Sequence, residues 1–233
     1  MKRYALLLVV LLSIFTSKIQ AQQLGNIKFK DKWSVSLDAG LASGWCDVES
    51  NWFGYYTAKP AFGIILTKQL STVIDLRSKL ILTSLKGNQP NRDRYFLANT
   101  FEWNIGASVD FTRLSFGIDP NRKLILHGFF TLGFCNFSSI LRNISRDSIL
   151  NATGYDNNGN YVDYKTVGVV NSGINLQLKI SEHIDFLFEN SWTVMNTDLL
   201  DGHLGGFSHD IYSFTSLGVV YKFNFRKNIP YNM

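Results

Sequence analysis

The sequence predicts an all-β chain, an eight-stranded antiparallel up-and-down barrel that crosses a membrane on its strands. Charged residues make up only 18% of the 233, while 45% are hydrophobic and 14% aromatic; a water-soluble domain carries about 25% charge. From Trp33 onward, apolar residues recur at every second position, which is the period of a strand and not of a helix. The connections alternate in length, short at one end and long at the other, as in strands that cross a bilayer between short turns and long loops.

Residues 1–21 read as a secretory signal peptide. Lys2 and Arg3 form the positive start, Leu6 to Phe15 the apolar run, and Ile19-Gln20-Ala21 a small-residue cleavage site. The run is too short for a spanning helix, which needs about twenty apolar residues, and no later stretch supplies one. The first cysteine is Cys46, so nothing beside the cleavage site could carry a lipid. The expected organisation is the leader 1–21, an N-terminal periplasmic segment 22–32, the barrel 33–225 and a short periplasmic tail 226–233. The net charge of +5 includes Lys2, Arg3 and Lys18 of the leader, which leaves no basic footprint for nucleic acid.

The first predicted strand sets Trp33, Val35, Leu37, Ala39 and Leu41 against Ser34, Ser36, Asp38 and Gly40. The second sets Phe62, Ile64 and Leu66 against Gly63 and Thr67, and the third Ile74, Leu76, Leu80 and Leu82 against Asp75, Arg77 and Lys79. The fourth alternates from Phe101 to Phe111, with Glu102, Asn104, Gly106, Ser108 and Asp110 on its polar side. Leu124, Leu126, Phe130 and Leu132 oppose His127, Thr131 and Gly133 in the fifth, and Ile174, Leu176, Leu178 and Ile180 oppose Gly173, Asn175, Gln177 and Lys179 in the sixth. The seventh opposes Phe186, Phe188, Trp192 and Val194 to Asp185, Glu189, Ser191 and Thr193. The eighth opposes Leu217, Val219, Tyr221, Phe223 and Phe225 to Ser216, Gly218, Lys222 and Asn224. Short turns are expected at 69–72, 119–121 and 181–183, and long loops at 42–59, 86–95, 135–166 and 196–210.

A soluble lipocalin-like barrel shows the same alternation with its apolar face inward. The polar face decides between them: its glycines and serines suit a crowded interior, whereas a solvated face would carry more Lys, Glu and Thr. The bulky Leu, Ile, Phe and Trp face is therefore assigned to lipid.

Ser216-Leu217-Gly218-Val219-Val220-Tyr221-Lys222-Phe223 resembles the C-terminal assembly signal of bacterial outer-membrane proteins, carried by Ser216, Gly218, Tyr221 and Phe223. With Asp119-Pro120-Asn121-Arg122-Lys123, Asp198-Leu199-Leu200-Asp201-Gly202 and His209-Asp210, the chain resembles small outer-membrane β-barrels of the Bacteroidota type, eight-stranded and OmpA/OmpX-like, over about Trp33 to Phe225. It departs from them in having Arg226 to Met233 after the last aromatic residue. The resemblance implies an outer-membrane location, export through a cleaved leader, insertion by the barrel assembly machinery and contact with outer-membrane lipids.

An eight-stranded barrel is just wide enough for its own side chains. The predicted lumen network has the acids Asp38, Asp75, Glu102, Asp110, Asp185 and Glu189 and the bases Arg77, Lys79, Lys179 and Lys222, with His127 a core residue beside them. Buried charges must pair, so a plugged interior is expected and a narrow ion path is the lesser alternative. In the last loop, His203, His209, Asp198, Asp201 and Asp210 could form an enzymatic site acting on lipid A or peptide. Without a recognisable nucleophile motif, turn-shaping and hydrogen bonding are the favoured roles for them, and the chain is read as no enzyme, with no cofactor and no metal. Asp156-Asn157-Asn158-Gly159-Asn160 lacks the glycine and glutamate positions of a calcium loop and is read as a turn in a hairpin extending the fifth and sixth predicted strands. Cys46 and Cys135 are assigned to the loop end as a possible disulfide, open because the two loops lie across the ring. Trp45, Trp52, Phe53, Tyr55 and Tyr56 suit an interfacial girdle, and Asp147-Ser148-Ile149 is similar to a short O-glycosylation signal. The expected role is structural, surface-contact or secretion-accessory, with a surface or secretion-complex protein as possible partner; a ligand carrier is the remaining alternative.

Overall fold

The computed structural model describes residues 32–48, 57–119, 121–156, 159–203, 205 and 209–224. The leader, the tail 226–233, Phe225 and the loop aromatics Trp52, Phe53, Tyr55 and Tyr56 lie outside the described residues, as do Pro120, Asn157 and Asn158. The strands are β1 (Lys32–Trp45), β2 (Lys59–Gln69), β3 (Ile74–Gln89), β4 (Arg94–Asp110), β5 (Leu124–Asn143), β6 (Ile149–Thr153), β7 (Lys165–Lys179), β8 (Ile184–Met195) and β9 (Ile211–Asn224). A six-residue helix, α1 (Phe111–Phe116), follows β4.

Every strand pairs antiparallel with its neighbours, and β1 pairs with both β2 and β9, so eight strands close into a ring. The short β6 stands outside it, paired with β5 beyond the point where β7 leaves. Closure satisfies the edges that an open sheet would leave unpaired. Two of the short turns use one device. Ser71 Oγ accepts from the amides of Val73 and Ile74, and Ser181 Oγ from those of His183 and Ile184.

The predicted outward face is outward. Leu37 is 63% exposed and Phe62 60%, and Leu82, Phe130, Ile174 and Leu217 are also exposed. Leaving such a side chain in water forgoes about 1.5–3 kcal/mol relative to burying it. A continuous wall of them belongs against another apolar phase. Aromatic residues mark both rims. Tyr221 packs beside Phe223 and His183 at the short-turn end, and Trp45 meets Trp192 edge-on at 4.6 Å at the loop end.

Several boundaries differ from the sequence reading. Segment 86–95 is not a long loop: β3 and β4 pair up to Gln89 and Arg94, leaving only a tight turn at 90–93. Cys135 is not in a loop, because β5 continues to Asn143 and carries Cys135 on its inward face, paired with Glu102. The turn at Asp156–Asn160 does not extend β5 and β7; it lies in the connection from β6 to β7, where Asp156 accepts from the Asn160 amide and Tyr155 bridges Tyr161. Phe111 leaves the strand pattern to open α1, which Asp110 caps by accepting from the Arg113 amide at 2.7 Å. The strands run on past the outward apolar band because their inward positions turn apolar there: Ile81, Leu85, Phe96, Ala98, Phe137 and Leu141 form a buried cluster with Val48 and Leu200 from the loops.

Candidate functional site

The lumen is filled in layers, and its middle layer is ionic. Arg77 from β3 reaches Glu189 on β8 with hydrogen bonds of 2.6 and 2.8 Å. Lys79 donates to Glu189 at 2.8 Å and to Asp38 on β1 at 3.0 Å, and Ser216 on β9 donates to Asp38 at 2.9 Å. All four charged groups are buried. The two cations also stack on inward rings, Arg77 over Phe129 at 4.1 Å and Lys79 over Phe214 at 4.4 Å, which offsets part of their desolvation. Gly63 makes room for this layer, since a Cβ there would collide with the Asp38 carboxylate.

Glu102 is held differently from the ion-paired acids. Its carboxylate accepts from Asn104 Nδ2 at 2.5 Å and from the Tyr212 hydroxyl, so neutral donors satisfy it. Beyond it lies the apolar cluster capped by Val48 and Leu200. Toward the short-turn end, Asp185 pairs with Lys222 at 2.5 Å, and Asp110 with Arg113 at 3.1 Å. His127 lies 3.7 Å from Asp75 and 3.4 Å from Ser108. Lys179 faces Asp185 in the β7–β8 register. Among the described residues the lower lumen holds a vestibule of about 110 Å³ beside Asp75, His127 and Lys222, and a void of about 20 Å³ between His127 and Asn175. Both are polar-lined and smaller than the roughly 300–1,000 Å³ of a usual small-molecule pocket.

At the loop end a second cluster ties the first and last loops together. Asp201 accepts from the amides of Val48 and His203 at 3.0 and 2.8 Å. Asp210 accepts from the Leu200 amide at 2.8 Å, and Asp198 from that of Gly205 at 2.9 Å. Burial, and then the neighbouring Asp201, pushes the Asp210 carboxyl up to about 7; burial also raises Asp201. Burial and the Asp210 carboxylate push the Cys46 thiol well above its usual value. Ligand atoms of Cys46, Asp201 and Asp210 lie within 4.8 Å of one another, close enough to share a cation. Their hydrogen bonds to backbone amides already explain the arrangement as a loop tie. Cys46 and Cys135 are both free thiols.

Of the lumen residues predicted from sequence, Asp38, Arg77, Lys79 and Glu189 form one ion-paired cluster and Asp185 pairs with Lys222 and Asp110 with Arg113, whereas Glu102 takes neutral donors and Asp75 lies beside His127. Ser216 and Gly218 of the assembly motif face inward onto Asp38, while Tyr221 faces outward. Sequence reasoning missed Tyr212, Arg113 and the meeting of Cys46 with Asp210. The last was accessible in principle, because Trp45 pairs with Ile211 once the ring closes, which brings the residues beside them together.

No protein-family description matches the chain, and no curated protein matches it. Solved structures do. Neisserial surface protein A is 14% identical, with 82% of this chain covering 97% of that one at a TM-score of 0.50. Ail of Yersinia pestis, solved with the heparin analogue sucrose octasulfate, is 12% identical, with 84% covering 100% at 0.47. The outer membrane protease OmpT of Escherichia coli is 10% identical, with 87% covering 99% at 0.29, an overlap too slight to bear on enzymatic activity. The likeness to Neisserial surface protein A fixes the fold class: a closed antiparallel barrel of the outer-membrane kind.

Proposed function

We propose that the chain is an integral outer-membrane barrel, exported on a cleaved leader and inserted by the barrel assembly machinery, which does no chemistry and conducts no free ion flow. Its role is structural, surface-contact or accessory to secretion, exercised through the loops and the hairpin of β5 and β6. The observation that carries this reading is the pairing of an apolar outer wall with a lumen filled by ion pairs and an apolar plug. The outward Leu, Ile and Phe suit hydrocarbon, and among the described residues the lumen is filled by ion pairs and an apolar cluster, which supports a barrel over a ligand carrier. The last-loop acids act as backbone acceptors, which supports a tying role over catalysis. A gel comparison of unheated and boiled detergent extract tests the location: a membrane barrel resists detergent when cold and shifts mobility on boiling. A mature protein recovered in the aqueous periplasmic fraction, with no such shift, overturns the reading.

A further inference from the structure

We infer that a crevice on the outer wall, at the loop ends of β2, β3 and β4, holds an amphiphile of the surrounding leaflet whose phosphate headgroup carries a net negative charge; this rests on the membrane location proposed above. The crevice encloses about 670 Å³. Its lower wall is a cross-strand row of Phe62, Leu82 and Phe101, three residues paired side by side in register. Directly above, the outward positions turn polar. Ser84 Oγ donates to Asn99 Oδ1 at 2.7 Å, an exposed pair standing where the rows below carry Leu and Phe. Lys59 and Tyr164 also line this upper part, and Lys86 follows Ser84 on the same outward face of β3.

The polar and apolar halves lie on the chain in the order that an amphiphile presents them at a membrane boundary. Lys59, Ser84, Asn99 and Tyr164, with Leu97 beside them, sit toward the loops, and Phe62, Leu82 and Phe101 sit toward mid-wall. The headgroup charge follows from the lining, which contains a lysine and no carboxylate, with Lys86 close by. A Lys near an anionic lipid surface contributes favourably and additively, whereas a free ion would gain nothing from the apolar lower wall. The same wall supplies an internal contrast. A second crevice of about 660 Å³ over β8, β9 and β1 has Leu41, Phe188, Trp192 and a hydrogen-bonded Asn190–Thr215 pair, yet no cationic residue in its lining. Similar size and similar apolar character with no lysine make it indifferent to headgroup charge.

Native mass spectrometry of the folded barrel in neutral detergent tests this, with phosphatidylglycerol and phosphatidylcholine of identical acyl chains as probes. Wild type is expected to retain one phosphatidylglycerol with about tenfold preference over phosphatidylcholine. The preference falls toward unity at raised salt, and also in the Lys59→Gln, Lys86→Gln double variant, while Asn190→Leu in the second crevice leaves it intact. Equal retention of the two lipids, or a preference untouched by both salt and the double substitution, overturns the inference. Displacement of the lipid by millimolar inorganic phosphate overturns it in favour of a soluble-anion site. Boiled and unheated gel lanes run on each sample separate this outcome from failure of the location itself: a heat-shifting barrel without lipid preference refutes the crevice alone.

Discussion

Arg77 and Glu189 clasp each other across the lumen from strands that are not neighbours, through two hydrogen bonds of 2.6 and 2.8 Å between fully buried groups. The pair braces opposite walls of the ring, and Lys79 shares the same carboxylate. Replacing Glu189 with Leu leaves two guests of this carboxylate, Arg77 and Lys79, with only Asp38 to balance them. Removing one partner of a buried pair costs about 3–5 kcal/mol. Urea unfolding in detergent should show that loss for Glu189→Leu and a smaller one for Arg77→Met combined with Glu189→Leu. Equal stability of wild type and the single variant would contradict the bracing role.

Ile64 is exposed on the outer wall, between Leu37 and Leu80 in register. Ile64→Arg should lower folding stability in bilayers by about 2–4 kcal/mol if this row lies at mid-depth. Normal yield and unaltered unfolding in lipid vesicles would mean that this wall faces water.

The loop tie is expected to loosen as pH rises. The Asp210 carboxyl is pushed up to about 7 in the folded protein from an ordinary 3.8, chiefly by burial and secondarily by Asp201. Between these values the folded state holds a proton that the unfolded state has lost. Stability therefore declines from about pH 4 upward and is lowest above pH 7. Hydrogen-exchange protection of residues 196–203 should be greater at pH 6 than at pH 8, after correction for intrinsic exchange, and Asp210→Asn should flatten the difference. Protection that rises with pH in wild type contradicts this assignment.

A non-enzymatic barrel predicts that His203→Ala with His209→Ala assembles normally and leaves both the lipid A profile and surface proteolysis of the host unchanged. A change in either, with the heat shift retained, would return the last loop to the catalytic class. In the structure, the backbone amide of His203 donates to Asp201.

The outward wall was legible because its period is local: Phe62, Ile64 and Leu66 show their face within one strand. The lumen charges followed by subtraction, as the opposite face of the same strands. The upper interior was not legible, since Leu85, Phe96 and Leu141 are apolar on the inward phase, reversing the rule that holds below. A period of two gives the alternation but not the height at which inside and outside exchange character. Helix α1 was hidden because Phe111 continues the alternation ending at Val109, and only the Asp110 cap marks the change. The approach of Cys46 to Asp210, and of Tyr212 to Glu102, depends on ring closure and register, which join residues more than a hundred positions apart.

The ionic layer draws Asp38 from β1, Arg77 and Lys79 from β3, Glu189 from β8 and Ser216 from β9. Its members therefore come from both ends of the chain, and no half-built sheet can hold them all. Lys79 and Asp38 can pair once β1 and β3 share a sheet, whereas Arg77 meets its carboxylate only when β8 brings Glu189 across the lumen. Closing the ring thus joins its early and late strands electrostatically, through Glu189, as well as through the backbone ladder between β1 and β9.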